Sequence, residues 1–210
     1  MAISKTVELL GPEPGNGAQP DIELEVPYRV SFTIEGICPL LFHRWSNEAV
    51  AEKANAKKGS KQKKTDNLES YVYRNHEGTL CLPGVYVHSA MQQAAKFEQD
   101  PRSPRKSAFD LFKAAVSPLT ELASLGTDSW AGIDERRVLV QRNAVTRRRP
   151  MISEGWRASM DFLVSLPEYV SPELFLRVLT LAGRTVGVGD FRPTYGRFVV
   201  VGFDRLELVS

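Results

Sequence analysis

Hydrophobic and polar positions alternate most cleanly at Tyr28, Val30, Phe32 and Ile34, which are separated by Arg29, Ser31, Thr33 and Glu35. A period of two buries one face of a strand and wets the other, so a strand region is predicted over 27–42, with a bulge or bend at Gly36. Trp156, Ala158, Met160 and Phe162, set against Arg157, Ser159 and Asp161, predict another over 156–164, closed by Pro167. Short strands are predicted at 68–74, with Tyr71 and Tyr73 on one side, and at 79–82, around a turn at 75–78. Val138, Val140 and Val145 mark 136–149 as strand, which Pro150 interrupts. The chain then ends in a strand at 198–203 and a last edge strand at 205–209.

Helical spacing governs two other stretches. Val87, Met91 and Ala94 or Ala95 fall on one face of a helix opened by Pro83 and Gly84, whose free N–H groups make a natural anion site. Leu174, Val178 and Leu181 form the stripe of a second, with Ser171 and Pro172 as start signal and Gly183 as its close. Shorter helices are predicted at 108–116 and from near Ser46. The stretches 100–107 and 126–132 read as loops, 118–125 as a strand or irregular segment, and Trp130 as a packing or interface residue. Strands and helices do not alternate regularly. The expected class is therefore α+β, an antiparallel sheet with helices on one face and its other face free.

Residues 1–26 read as an N-terminal arm: an apolar patch from Val7 to Leu10, then the linker chemistry of GPEPGNGAQP. Residues 27–210 form a single domain, with a basic loop at 53–67 and a variable insertion at 100–135.

Composition narrows the chemistry only slightly. An apolar fraction of 42% over 210 residues supports a sizeable core, and the net charge of +2 says little by itself. Its distribution says more. Six lysines fall between Lys53 and Lys64, among them Lys57, Lys58, Lys61, Lys63 and Lys64. Six arginines fall between Arg136 and Arg149: Arg136, Arg137, Arg142, Arg147, Arg148 and Arg149. A strand cannot bury that many guanidiniums, so one face or end must meet solvent or a ligand. The third basic segment is glycine-rich, with Gly187, Gly189 and Gly196 between Arg184, Arg192, Tyr195 and Arg197. Glycines let a backbone approach a ligand, and forked guanidiniums suit phosphate. The spacing matches neither a dinucleotide fingerprint nor a Walker loop.

Arginine and lysine beside Trp45, Tyr71, Tyr73, Phe191 and Tyr195 suit a single-stranded polymer, with cations on the backbone and rings against bases. Enzyme chemistry has one candidate, His43 as a general base for RNA cleavage, with no second histidine or paired carboxylate to help it. No metal spacing and no cofactor motif is present. Cys38 and Cys81 sit in apolar runs and read as buried small hydrophobes. No leader or membrane-crossing run is visible, so the expected setting is a reducing cytoplasm.

Two motifs and the order of elements resemble the RAMP superfamily. One is LPGVYVHSA, Leu82 to Ala90, where a strand opens a helix. The other is GVGDFRPTYGRF, Gly187 to Phe198. That superfamily includes RNA-binding backbone subunits of CRISPR effector complexes. Across 28–203 the chain also resembles a group of proteins common in bacteriophage genomes, which share the LFHRWS-like start, the lysine-rich insertion and the glycine-rich ending. The resemblance implies a ferredoxin-like, RRM-related fold with a C-terminal glycine-rich loop, working in the cytoplasm of a bacterial host.

Together these readings favour a non-enzymatic binder of RNA or single-stranded DNA that assembles along the strand, as a homo-oligomer or a subunit of a ribonucleoprotein complex. Its expected contacts are Lys57, Lys58, Lys61, Lys63, Lys64, Arg142, Arg147, Arg149, Arg184, Arg192, Tyr195 and Arg197. Two rivals stand beside it: an endoribonuclease of the CRISPR-RNA-processing type using His43, and a phage interaction protein that forms oligomers without nucleic acid.

Overall fold

The computed structural model of the protein describes residues 25–44, 55, 67–140 and 143–207. The arm up to residue 24, the helix start near Ser46 and Lys57, Lys58, Lys61, Lys63 and Lys64 of the basic loop lie outside them. In chain order the first elements are β1 (Tyr28–Gly36), β2 (Leu40–Leu41), β3 (Tyr73–Arg74), β4 (Leu80–Pro83), α1 (Gly84–Ala94), β5 (Gln99–Asp100) and β6 (Ser103–Ser107). There follow α2 (Phe109–Ala115), β7 (Val116–Pro118), β8 (Leu122–Ser124), β9 (Gly132–Val140), β10 (Asn143–Ile152), β11 (Arg157–Val164), α3 (Pro172–Thr185) and β12 (Phe198–Glu207).

The central sheet has the order β12-β1-β11-β7, and every neighbouring pair is antiparallel. Helix α1 lies between β1 and β7 in the chain, and α3 between β11 and β12. This is the β-α-β-β-α-β path of the ferredoxin-like fold, to which the RRM belongs. The alternation read from the sequence decides which face is inside. Tyr28, Val30, Phe32 and Ile34 of β1 and Ala158, Met160, Phe162 and Val164 of β11 are all buried. Phe32, Phe162 and Phe175 form the centre, with ring centroids 5.2 to 6.2 Å apart. Burying one such side chain is worth about 1.5–3 kcal/mol, so this cluster ties α3 to the sheet.

Helix α3 starts where the signals place it. Ser171 Oγ accepts the Leu174 N–H at 3.3 Å, and Pro172 occupies the first turn. Gly183 does not end the helix, which runs to Thr185. A Cβ at Gly183 would lie 2.2 Å from the Phe198 carbonyl oxygen, so the glycine serves close approach of helix to strand.

Other expectations change where pairing is long-range. Residues Leu68–Tyr71 form a 3-10 turn, and only Tyr73–Arg74 is strand. The charged stretch read as a loop at 100–107 contains β6, hairpin-paired with β5. The basic run is not one strand but the hairpin β9–β10, in register from Asn143 opposite Val140 to Met151 opposite Gly132. Pro150 does not interrupt it. Its carbonyl accepts the Phe42 N–H at 3.1 Å, so it still ties the hairpin to the chain after β2 through the acceptor it keeps. The two C-terminal strands are one, β12, with a bulge opposite Thr33 and Ile34 of β1.

The sheet face away from the helices carries Arg29, Ser31, Thr33 and Glu35 of β1 and Arg157, Ser159, Asp161 and Leu163 of β11. Crossed pairs hold this face together: Arg29 with Asp161 and Arg157 with Glu35, both at 2.5 Å. Among the described residues of these two strands it has no aromatic side chain. A sheet that stacks bases needs aromatics there. Among the described residues, no helix is long and apolar enough to cross a membrane.

Candidate nucleic-acid interface

The glycine-rich segment between α3 and β12 folds back on itself and on the chain that leaves β1. The Val188 N–H donates to Gly196 O at 2.9 Å, Gly196 N–H to Pro39 O at 2.9 Å, Asp190 N–H to Leu41 O at 3.0 Å and Ile37 N–H to Arg197 O at 2.9 Å. Gly187, Gly189 and Gly196 all have positive φ. The nearest atoms to a Cβ at each are protein backbone or core: Gly196 O, Leu41 O and Val188 O. These glycines therefore pack the loop against the protein rather than clear space for a ligand.

The hairpin supplies the other half of the clamp. Opposed residues share a face, so Asp134, Arg136, Arg147 and Arg149 lie on one side of β9–β10. Arg149 is 7% exposed and pairs with Asp190. Arg136 pairs with Asp134 and donates to the Tyr195 hydroxyl at 2.7 Å. The Arg149 and Arg136 guanidiniums lie 4.2 and 4.4 Å from the centre of the Phe191 ring. Phe191 holds φ at 54°, a costly value for a bulky residue, and this grip pins it there. One nitrogen of Arg149, Nη1, is buried without an acceptor among the described residues.

A cleft of about 280 Å³ opens between this loop, the chain after β2 and the first turns of α1, lined by His43, Tyr86, Ser89, Gly189, Asp190 and Arg192. His43 stacks on Tyr71 with centroids 5.0 Å apart and planes 21° apart. The Tyr86 hydroxyl meets that of Tyr73 at 3.1 Å, and burial first, then this bond, pushes the Tyr86 phenol well above its ordinary range. Arg44 lies over the Tyr73 ring at 5.2 Å.

Burial holds His43 below its ordinary value. Asp190 pulls it back up, while the Arg149 and Arg147 charges push it further down. Its imidazole is therefore neutral at neutral pH. A histidine depressed in the folded state adds stability above its unfolded pKa of about 6.5, and that stability is lost as pH falls below it. Denaturation of the protein and of His43→Gln from about pH 7.5 to about pH 5.5 is expected to show the steeper acid loss in the unsubstituted chain. Parallel profiles would mean that His43 is not held neutral.

The expected contact residues divide into three groups. Lys57, Lys58, Lys61, Lys63, Lys64 and Arg142 lie outside the described residues. Arg149 and Tyr195 are engaged within the clamp, and Arg184 lines a different groove, between α3 and β12. Arg192 is exposed at the cleft, and Arg197 is exposed with Nη2 3.4 Å from Cys38 Sγ. Arg147 lies across from Arg136 and close enough to act on His43. Arg147 and Arg192 make no ion pair among the described residues. The Gly84 N–H at the start of α1 is spent on the Glu121 carbonyl at 3.0 Å, so that helix end offers fewer free donors than expected. Sequence reasoning missed Tyr86, Ser89 and Asp190. The lone carboxylate inside an arginine-rich, glycine-rich segment was the available sign of an internal ion pair.

No protein-family model matches the chain. No curated protein matches it either. Among solved structures, it is similar to a chain in the cryo-EM structure of the Type III-B Cmr-beta bound to cognate target RNA, with a TM-score of 0.54 and 8% identity. The match covers 87% of this chain and 61% of that one, so the present chain spans less than two thirds of its neighbour's length. At that identity the likeness is one of fold.

Proposed function

We propose that this protein is a RAMP-type module that binds single-stranded RNA, as a subunit of a ribonucleoprotein assembly. The observation that carries the reading is the cleft itself. It sets an exposed Arg192 and the outlying charge of Arg147 beside the stacked His43–Tyr71 pair and Tyr86. Cations for the backbone and rings for the bases are the two parts a single-strand site needs. The fold neighbour, described as bound to target RNA, supports RNA over DNA. The sheet face, which lacks aromatics on β1 and β11, turns the site away from the usual RRM surface.

Binding fits these groups better than cleavage. A neutral His43 could accept a proton from a 2′-hydroxyl, but Tyr86, the hydroxyl across the cleft, is too weak an acid to complete the exchange.

The test is anisotropy of a labelled unstructured RNA at several salt concentrations, with the full chain and with Arg147→Ala/Arg192→Ala. Each lost phosphate contact on a single strand lowers the salt slope by about 0.7, so the double variant is expected to lose about 1.4 and to bind at least tenfold more weakly. An unchanged slope would remove both arginines from the interface. RNA that the unsubstituted protein cuts and His43→Ala leaves intact would favour the nuclease reading instead.

A further inference from the structure

We propose that residues 3–10 of the N-terminal arm dock as an added strand on the free edge of β12, covering the groove between β12 and α3. Three observations converge on this occupant.

The first is the edge. β12 is the end strand of the central sheet, and among the described residues it pairs only with β1. Its ten residues present outward-facing N–H and C=O groups along one side. Val199, Val201 and Leu206 are 39%, 49% and 40% exposed. Its first six residues, Phe198 to Phe203, carry no charge and no proline, and an apolar edge of that kind is a template for another strand.

The second is the groove beside that edge. It holds about 440 Å³ and is lined by Leu176, Thr180, Phe198, Val200 and Phe203, with Arg184 at its rim. An added strand that alternates apolar and polar residues would place its apolar side there. In the arm, Ile3, Val7 and Leu9 fall on one side of an extended segment with Lys5 among them, and Ser4, Thr6, Glu8 and Leu10 on the other.

The third is where the arm joins the body. Tyr28, the first residue of β1, pairs with Glu207 at the far end of β12. The arm therefore meets the domain one strand away from the free edge. Residues 11–24 extend to at most about 46 Å, whereas β12 spans about 33 Å. Residues 3–10, about 26 Å when extended, can thus pair with most of the edge in either direction, and GPEPGNGAQP supplies the turn. The opposite edge, β7, has only three residues. A tethered strand also acts at an effective concentration on the order of millimolar, which favours it over a second copy at micromolar concentration.

Hydrogen exchange on the full chain tests this, comparing it with Val7→Asp/Leu9→Asp at two protein concentrations. The expected result is slow exchange of the outward amides of β12 at both concentrations, speeding up on the order of tenfold or more in the variant. Amides of β1 and β11 should be unchanged in the variant, which shows that the domain is still folded. Outward amides that exchange equally fast in both proteins would overturn the proposal. So would protection that grows with concentration, whether it survives the substitutions, as for a second copy on the edge, or is lost with them, as for an exchanged arm.

Discussion

Gly196→Ala is expected to lose about 4 kcal/mol of folding stability, which places it among the most damaging single changes available in this chain. The added Cβ would stand 1.7 Å from the Val188 carbonyl oxygen and 2.8 Å from its carbon. Both are backbone atoms and cannot rotate away. The φ of +70° adds about 1–2 kcal/mol for any side chain. Relief requires breaking the Val188-to-Gly196 and Gly196-to-Pro39 hydrogen bonds, each worth about 1 kcal/mol net. Gly78→Ala is the control: φ is +82° there, but nothing lies within 4 Å, so only the conformational cost of about 1–2 kcal/mol remains. Urea denaturation of the two variants gives the comparison. Equal losses would show that the loop yields more easily than its contacts indicate.

Arg149→Met should cost roughly 3 kcal/mol, the low end for a broken buried ion pair. The methionine keeps an apolar stem against Phe191 but leaves the Asp190 carboxylate without its partner. Two facts pull the figure down: the Asp190 side chain is 31% exposed, and Arg149 already carries one buried nitrogen without an acceptor. One fact pulls it up, since Phe191 loses one of the two guanidiniums that hold it at positive φ. Arg149→Lys keeps the charge without the planar fork and should fall between the two. A loss below about 0.5 kcal/mol in Arg149→Met would mean that the loop is held by its backbone bonds alone.

These two residues mark how far the sequence could be read. The strand β1, the helices α1 and α3 and the strand β11 were legible because each carries its own period: apolar positions two apart, or three and four apart, are set by local geometry. The glycine-rich segment was visible as a special place for the same reason, since so many glycines have no role in a regular element. Its purpose was not legible. A glycine that must admit a ligand and one that must admit the Val188 carbonyl look the same in one dimension. The arginines of 136–149 posed a similar difficulty. Which of them face Asp134, Glu135 and Asp190, and which keep their charge for a partner, depends on hairpin register, and two residues out of register would reverse the answer. The single strand β12 was divided in two at Asp204, where its apolar run gives way to charged residues, whereas the bulge lies earlier, at Val201. The 3-10 turn at Leu68–Tyr71 was read as strand because aromatic, β-prone residues were placed there by contacts from elsewhere, including the stack on His43.

The position of β1 has a bearing on how the protein is made. Among the described residues it is the first strand in the chain, yet both of its neighbours, β11 and β12, are encoded more than a hundred residues later. Until they emerge, neither of its edges has its native partner. Folding of this domain therefore waits for the C-terminal third of the chain, as expected of a topology dominated by distant contacts. The nascent N-terminal half is the form most exposed to aggregation and to chaperones.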